Sequence, residues 1–394
     1  MDLRYTEEEE QFRAELRAWL ADVLPSVPPE PPVERWDARR VWDTAWQRTL
    51  FDAGYAGINW PAEYGGRGAT PTEHLIFLEE TEHARAPYVG MNFVGLLHAG
   101  PTLVVEATPE QKAAHLPGIL RGDNVWCQGF SEPSAGSDLA ALQCRAIRDG
   151  DDYVIDGQKI WTSFAHVADY CEMLVRTDTD VPKHRGITWL ILPMGLPGMD
   201  VRPLRTMDGG IEFSEVFFDE VRVPVSNRVG DENDGWRVAM TTLSFERGTA
   251  FVSEMLQTME LVHDLSELAK HVTRRSRLAW DDDGLRRDLG KLSAELDALW
   301  ALTRRNISEA SRTGLVGAGG NVFKLAYTDL RHRLGELSLH LLERASLSMD
   351  DIDELTSGRH VEGRIHGLKM TIAAGTSQVQ RNIIAERLLG LPKG

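Results

Sequence analysis

Hydrophobic periodicity changes twice along this chain of 394 residues, and that change limits the folds open to it more than any single motif does. Phe12, Leu16, Trp19, Leu20 and Val23 recur at helical spacing and form one apolar stripe on an otherwise charged segment. Thr6 with Glu9 three residues on is a capping-box pair for that helix, and the proline-rich run 24–34 ends it. Helices are predicted at about 36–54, 71–85, 90–107 and 109–121, with the glycine-rich stretch Tyr64–Gly68 as a loop. Past Gly122 the pattern becomes short β-like runs. Tyr153-Val-Ile is bracketed by Asp149-Gly150 and Asp156-Gly157, each a hairpin signal, and further strands are predicted around Leu174, Ile187–Leu192 and Val216. With no helical segments between these runs, antiparallel connections are expected rather than βαβ crossovers. Helical periodicity returns at Asp234, over about 234–279, 284–312, 319–346 and 360–389, enough for an up-down bundle. The order helices, strands, helices excludes Rossmann and TIM arrangements.

Composition narrows the function classes. Asp and Glu number 60 against 43 Lys and Arg, a net charge of −17, so the surface repels phosphate backbones and no nucleic-acid partner is expected. The 3 cysteines carry no CxxC spacing, and the histidines form no HxxxH or HExxH pattern, so neither a disulfide framework nor a metal site is indicated. No run approaches the ~20 apolar residues of a membrane helix. The acidic start, Met1 to Glu10, is unlike a signal peptide. A soluble, cytoplasmic protein is the expectation.

Four strings could carry chemistry. Gln128-Gly-Phe-Ser-Glu-Pro-Ser-Ala-Gly-Ser-Asp138 places hydroxyls among small residues, which lets backbone N–H groups and Ser131 approach a ring or phosphate. Lys159-Ile-Trp-Thr-Ser163 sets an indole beside the Thr162 and Ser163 hydroxyls, suited to covering a flat cofactor and bonding its polar edge. Phe245-Glu-Arg247 puts a carboxylate with no cation three or four residues away on a face of small residues (Ala239, Thr242, Thr249, Ala250, Ser253), which leaves room for a ligand. Ala373-Ala-Gly-Thr-Ser-Gln-Val-Gln-Arg-Asn382 reads as a close approach followed by a helix capped by Thr376. Taken singly, each also has an ordinary reading: a Ser/Gly loop, a buried tryptophan, a solvated glutamate, a helix cap.

Together, and in this order, the strings resemble the acyl-CoA dehydrogenase family of flavoenzymes. The most specific parts are Ser131–Asp138, Gly157–Ser163, Phe217-Phe-Asp-Glu-Val-Arg-Val-Pro224 and Gly375–Arg381, and the likeness runs through nearly the whole chain. It implies an α+β, mainly α, fold with an N-terminal helical domain (1–122), a middle antiparallel β-barrel domain (123–233) and a C-terminal four-helix bundle (234–394). It also implies FAD, with Gln128, Phe130 and Ser131 lining the isoalloxazine, Trp161 covering it, Thr162 and Ser163 beside it, and Thr376 and Gln378 approaching from the bundle. Ser137, Arg247, Ala374 and Gly375 fall where the family contacts its thioester, and Ser137 is counted with the cofactor residues as well. The implied reaction is α,β-desaturation of an acyl-CoA or acyl-carrier-protein thioester in lipid metabolism, with electron-transfer flavoprotein as acceptor.

Two departures from the family pattern matter. Most members carry their catalytic glutamate immediately before the Gly-Thr-Ser-Gln string, where this chain has Ala374. A minority, the isovaleryl and long-chain types, place it on the first bundle helix, where this chain has Glu246-Arg247, so Glu246 is the expected base. The family's cofactor arm, an Arg-x-x-Phe-Gly string and a Gln-x-x-Gly-Gly-x-Gly string, is missing from 274–280 and 334–344. The expectation is a dimer or tetramer, either of like subunits or with an unlike partner supplying that arm. The competing readings are a non-catalytic or half-site subunit of a heteromer, and an acyl-CoA oxidase.

Overall fold

The computed structural model describes residues 4–32, 34–88, 90–245, 251–274, 276–313, 319–351 and 357–392. Five α-helices come first: α1 (Glu7–Val23), α2 (Trp36–Asp52), α3 (Pro71–His83), α4 (Gly100–Glu106) and α5 (Pro109–Arg121). Eight strands follow: β1 (Trp126–Gly129), β2 (Arg145–Asp149), β3 (Asp152–Ser163), β4 (Tyr170–Arg176), β5 (Ile187–Pro193), β6 (Met199–Leu204), β7 (Phe213–Pro224) and β8 (Arg228–Val229). The remainder is helical, α6 (Gly235–Phe245), α7 (Val252–Ala269), α8 (Asp283–Thr313), α9 (Gly319–Leu342), α10 (Ser357–Lys369) and α11 (Ser377–Ile383), with a small ribbon of β9 (Thr273–Arg274) and β10 (Arg277–Leu278).

Local chemistry accounts for several boundaries. The Thr6 N–H donates to Glu9 Oε2 (2.7 Å) and the Glu9 N–H to Thr6 Oγ1 (3.2 Å), the reciprocal bonds of a capping box. Phe12, Leu16 and Leu20 of the predicted stripe are buried, at 4, 0 and 1 % exposure. The predicted helix at 234–279 ends early, because 270–279 turns into the β9–β10 ribbon. The one at 360–389 is divided by the turn holding Ala374 and Gly375, both at positive φ (50° and 85°).

Two compact units partition the chain. One, the sheet unit, comprises Ala18–Thr70 and Arg85–Glu246; the other, the bundle unit, comprises Met1–Arg17, Pro71–Ala84 and Arg247–Gly394. Helix α6 falls in the sheet unit by this partition.

In the sheet unit the strand order is β6-β7-β3-β2-β4-β5-β8, with β1 paired to β4. The path has free ends at β6 and β8, so the sheet is open rather than the closed barrel expected. Nor is it wholly antiparallel, because β1 runs parallel to β4 along Trp126–Gly129 and Tyr170–Met173. Asp149-Gly150 makes the anticipated tight turn between β2 and β3. Asp156-Gly157 does not: β3 runs straight through it, and the register against β7 slips between Ile155 and Gly157. A Cβ on Gly157 would lie 2.7 Å from Cys144 Cα, so glycine is needed there for close packing and not for chain reversal. The core under the sheet includes Tyr153, Met173, Leu190, Leu192, Val221 and Val223.

In the bundle unit α7, α8, α9 and α10 share a core built from Leu265, Leu292, Leu296, Leu330, Leu334 and Leu341 among others. Among the described residues no helix is long and apolar enough to cross a membrane.

Burial pushes His74 and His360, both in the bundle unit, down to about 4. A histidine held neutral in the fold must be charged as the pH falls, so its contribution is complete above the unfolded value near 6.5 and is lost as the pH falls through 4. We expect equilibrium denaturation to show stability declining from pH 6.5 to 4, on the order of 3 kcal/mol for each histidine. His74→Gln should remove its share of that slope; an unchanged slope would contradict the assignment.

Candidate active site

The described residues among those singled out in sequence fall into two groups, one in each unit.

In the sheet unit, β1 runs out through Gly129 into the loop Phe130–Asp138. Phe130 is buried and Gln128 donates through Nε2 to Glu172 Oε1 (2.7 Å). Glu132 is the loop's anchor. Its Oε2 accepts from the Gln143 N–H (2.6 Å), and its Oε1 accepts from the Cys144 N–H (2.9 Å) and from Lys159 Nζ (2.8 Å). Lys159 Nζ also donates to the Phe130 carbonyl (3.1 Å), and the Ile160 N–H to the Ser131 carbonyl (3.0 Å). The loop and the end of β3 are thus tied together by one fully buried ammonium and a backbone bond. Ser137 and Asp138 are exposed, with Asp138 ion-paired to Lys183 (2.7 Å).

The end of β3 departs from regular strand geometry. Strict alternation from Tyr153, Ile155 and Lys159 would point Trp161 inward. The register against β7 slips again between Lys159 and Thr162 and reverses the parity. Trp161 adopts φ 60° and becomes 57 % exposed, its indole edge-on to Phe213 (5.8 Å, 82°), while Thr162 turns in at 0 %. Phe164 follows, also at positive φ (57°), its N–H donating to the Glu212 carbonyl (2.7 Å). Left-handed backbone at two bulky residues is costly and is characteristic of functional sites.

Thr162 Oγ1 is buried and has no hydrogen-bond partner among the described residues. A buried hydroxyl of that kind calls for a ligand or water. The exposed indole of Trp161 and the half-buried hydroxyls of Ser131 and Ser163 are groups whose chemistry suits the face and polar edge of a flavin.

The second group lies in the bundle unit. Thr376 caps α11 as expected, its Oγ1 accepting from the Val379 N–H (3.2 Å). The turn before it is held from two sides. Lys324, on α9 and 4 % exposed, donates through Nζ to the Ala373 carbonyl (2.6 Å) and to the Gly375 carbonyl. Gln380 Nε2 donates to the carbonyls of Ala374 (3.2 Å) and Gly375 (3.4 Å), and would sit 2.9 Å from any Cβ added at Gly375. Gln378 lies on the first turn of α11, beside the cap. Glu246 and Arg247 lie outside the described residues.

In the sequence Glu132, Lys159 and Gln380 fall inside the singled-out strings without an assigned role, and Lys324 falls outside them. The signal for Lys159 was its parity with the inward-facing Tyr153 and Ile155. For Lys324, a helix-interior lysine, no local signal existed.

Three family models match in succession: the acyl-CoA dehydrogenase N-terminal domain over residues 6–123, the middle domain over 127–221 and the C-terminal domain over 233–389. Acyl-CoA dehydrogenase IpdE1 of Mycobacterium tuberculosis is 37% identical over 393 residues, covering 98% of both chains. Among solved structures, a chain of the ChsE4-ChsE5 complex from Mycobacterium tuberculosis superposes with a TM-score of 0.85 at 34% identity, and one of the Tcur3481-Tcur3483 steroid ACAD with 0.84 at 33%, each covering 100% of both chains.

Removing the Glu132 carboxylate would strand Lys159 in the core and release the loop. Glu132→Ala should cost about 3–5 kcal/mol in chemical denaturation. A loss under about 1 kcal/mol, the range of an exposed pair, would show that the pair does not anchor the loop.

Proposed function

Because this chain belongs to the acyl-CoA dehydrogenase family, whose members are FAD-binding oxidoreductases, we propose that it desaturates an acyl thioester between its α and β carbons, with Glu246 as the base. The observation that carries the assignment is the pair of identities at the two positions where this family keeps its carboxylate: alanine at 374 and glutamate at 246. The Ala374 methyl cannot take a proton. FAD, when bound, supplies the hydride acceptor.

The residues have separable tasks. An α-C–H beside a thioester is too weak an acid for a free carboxylate, so the developing enolate oxygen needs preformed donors, and the Ala374 N–H is assigned that role. The fixed turn supports it: with Lys324 and Gln380 gripping the carbonyls of Ala373, Ala374 and Gly375, little reorganisation is left for the moment of reaction. Ser137, Arg247 and Gly375 contact the thioester. Gln128, Phe130, Ser131, Thr162 and Ser163 hold the flavin ring, Trp161 covers it, and Thr376 and Gln378 complete its site. The proposal keeps three functional domains, 1–122, 123–233 and 234–394.

Assembly with an unlike subunit is part of the proposal. Arg274, in the segment where the family keeps its cofactor arm, is turned back on its own unit. Its Nε pairs with Glu343 (3.2 Å) and one terminal nitrogen meets His340 Nε2 (3.1 Å). An arginine so occupied is not extended toward a neighbouring cofactor, and two of the similar structures are complexes of differently named chains. The steroid designation of one of them supports a bulky acyl group. Three free, buried cysteines suit a reducing cytoplasm, and electron-transfer flavoprotein is the proposed acceptor.

The test is spectroscopic. The purified protein, alone or with its unlike subunit, should be yellow, and its flavin band should bleach when a bulky acyl-CoA is added without oxygen. Glu246→Gln should retain the flavin and slow bleaching by about 10²–10⁴-fold. Normal bleaching in that variant would reject Glu246; failure of the wild-type assembly to bind flavin would favour a non-catalytic subunit. Rapid reoxidation by O₂ would favour an oxidase.

A further inference from the structure

The sheet unit holds a buried carboxylate to which the reaction assigns no task. Glu172, on β4, stands opposite Gln128 in the parallel β1–β4 pairing and is 0 % exposed. Its Oε1 accepts from Gln128 Nε2 at 2.7 Å. Gln128 itself is only half-buried, and its Oε1 accepts no hydrogen bond among the described residues. Cys127 and Cys171 belong to the core under the sheet, so strand alternation puts Gln128 and Glu172 together on the opposite face. The same stretch of β1 adjoins the end of β3: a Cβ added at Gly129 would lie 3.7 Å from Lys159 Cγ, and the Ile160 N–H donates to the Ser131 carbonyl. Gln128 thus opens the segment that leads to Ser131, beside the strand end that carries Trp161.

The two ends of a glutamine amide are alike in shape and opposite in sense, since the NH₂ donates and the carbonyl accepts. An ionised carboxylate can only accept. Facing Glu172, Gln128 must turn its NH₂ inward, and the carbonyl is the end left for a ligand. The bond is charge-assisted, about twice as strong as a neutral one, and the carboxylate behind the amide polarises the carbonyl at its far end. An apolar side chain at 172 would avoid the cost of a buried charge, so the carboxylate's presence calls for a role. The isoalloxazine of an oxidised flavin has a single N–H, at N3, whereas N1, N5 and both ring carbonyls accept. A bare carbonyl acceptor on the protein is complementary to N3–H alone.

We propose that Glu172 is a positioning residue that fixes the Gln128 amide with its carbonyl oxygen outward, where that oxygen accepts from the N3–H of the flavin. This rests on the reading above that Gln128 helps to hold the flavin ring.

The experiment incubates the full chain, in its flavin-loaded assembly, with mixtures of FAD and FAD methylated at N3, which has no N–H to give. Mass spectrometry of the flavin released at equilibrium reads the preference directly. Wild type should favour FAD on the order of 100-fold. Glu172→Gln and Gln128→Leu nearly conserve side-chain size, so the steric penalty of the methyl group cancels between variants, and each should shrink the preference about tenfold. Glu172→Met, or Gln128→Leu combined with Glu172→Leu, serves where a single variant does not fold. An unchanged preference on removing the Glu172 charge overturns the proposal, even if Gln128→Leu loses it, and so does equal binding of both flavins by wild type. Because binding is read apart from turnover, equal binding with normal substrate bleaching would sink this proposal and leave the dehydrogenase reading standing. A preference that depends on Glu172, without bleaching, would do the reverse.

Discussion

An ammonium with no access to water holds the sheet unit's candidate site in shape. Lys159 reaches the carboxylate of Glu132 and the carbonyl of Phe130, and Glu132 takes two more backbone N–H groups, so a loop rich in serine and glycine acquires a fixed path. Burying a charge pair costs several kcal/mol per ion before attraction offsets it, and the offset requires every remaining valence to be used. Here Glu132 accepts three bonds through its two oxygens. The same lysine ends the regular part of β3, and immediately after it the strand slips register. Fixing the loop and redirecting Trp161 and Thr162 are therefore one local arrangement.

The bundle unit uses the same device at its own turn. Lys324, buried on α9, binds the carbonyls on either side of Ala374, and Gln380 binds two of the same stretch, so a left-handed alanine and glycine are kept in place without a long side chain between them. In each unit a buried cation organises backbone carbonyls next to residues named from the family likeness. The chemistry assigned to those residues depends on backbone donors being aimed in advance, which is what such anchors provide.

Much of this was legible in the sequence. The capping box at Thr6, the cap at Thr376, the stripe of α1 and the tight turn at Gly150 follow from local rules, and the structure has each of them. What escaped is what depends on distant partners. Asp156-Gly157 has the letters of a hairpin, yet the β3–β7 pairing carries the strand through it, and only the closeness of Cys144 explains the glycine. Closure of the sheet is a property of all its strands, and the likeness to a barrel family did not decide it. The exposure of Trp161 depends on a one-residue slip that composition cannot reveal. Lys324 lies some fifty residues from the carbonyls it binds, beyond any motif.

The central claim is that the carboxylate at position 246 removes the proton next to the thioester carbonyl. It is measured most directly by following solvent deuterium into that α-carbon by NMR, using an acyl-CoA whose β-carbon is replaced by sulfur so that no hydride can leave. The wild-type holoenzyme should exchange the α-hydrogen readily and Glu246→Gln should not. Exchange at the wild-type rate in that variant would mean that another group is the base.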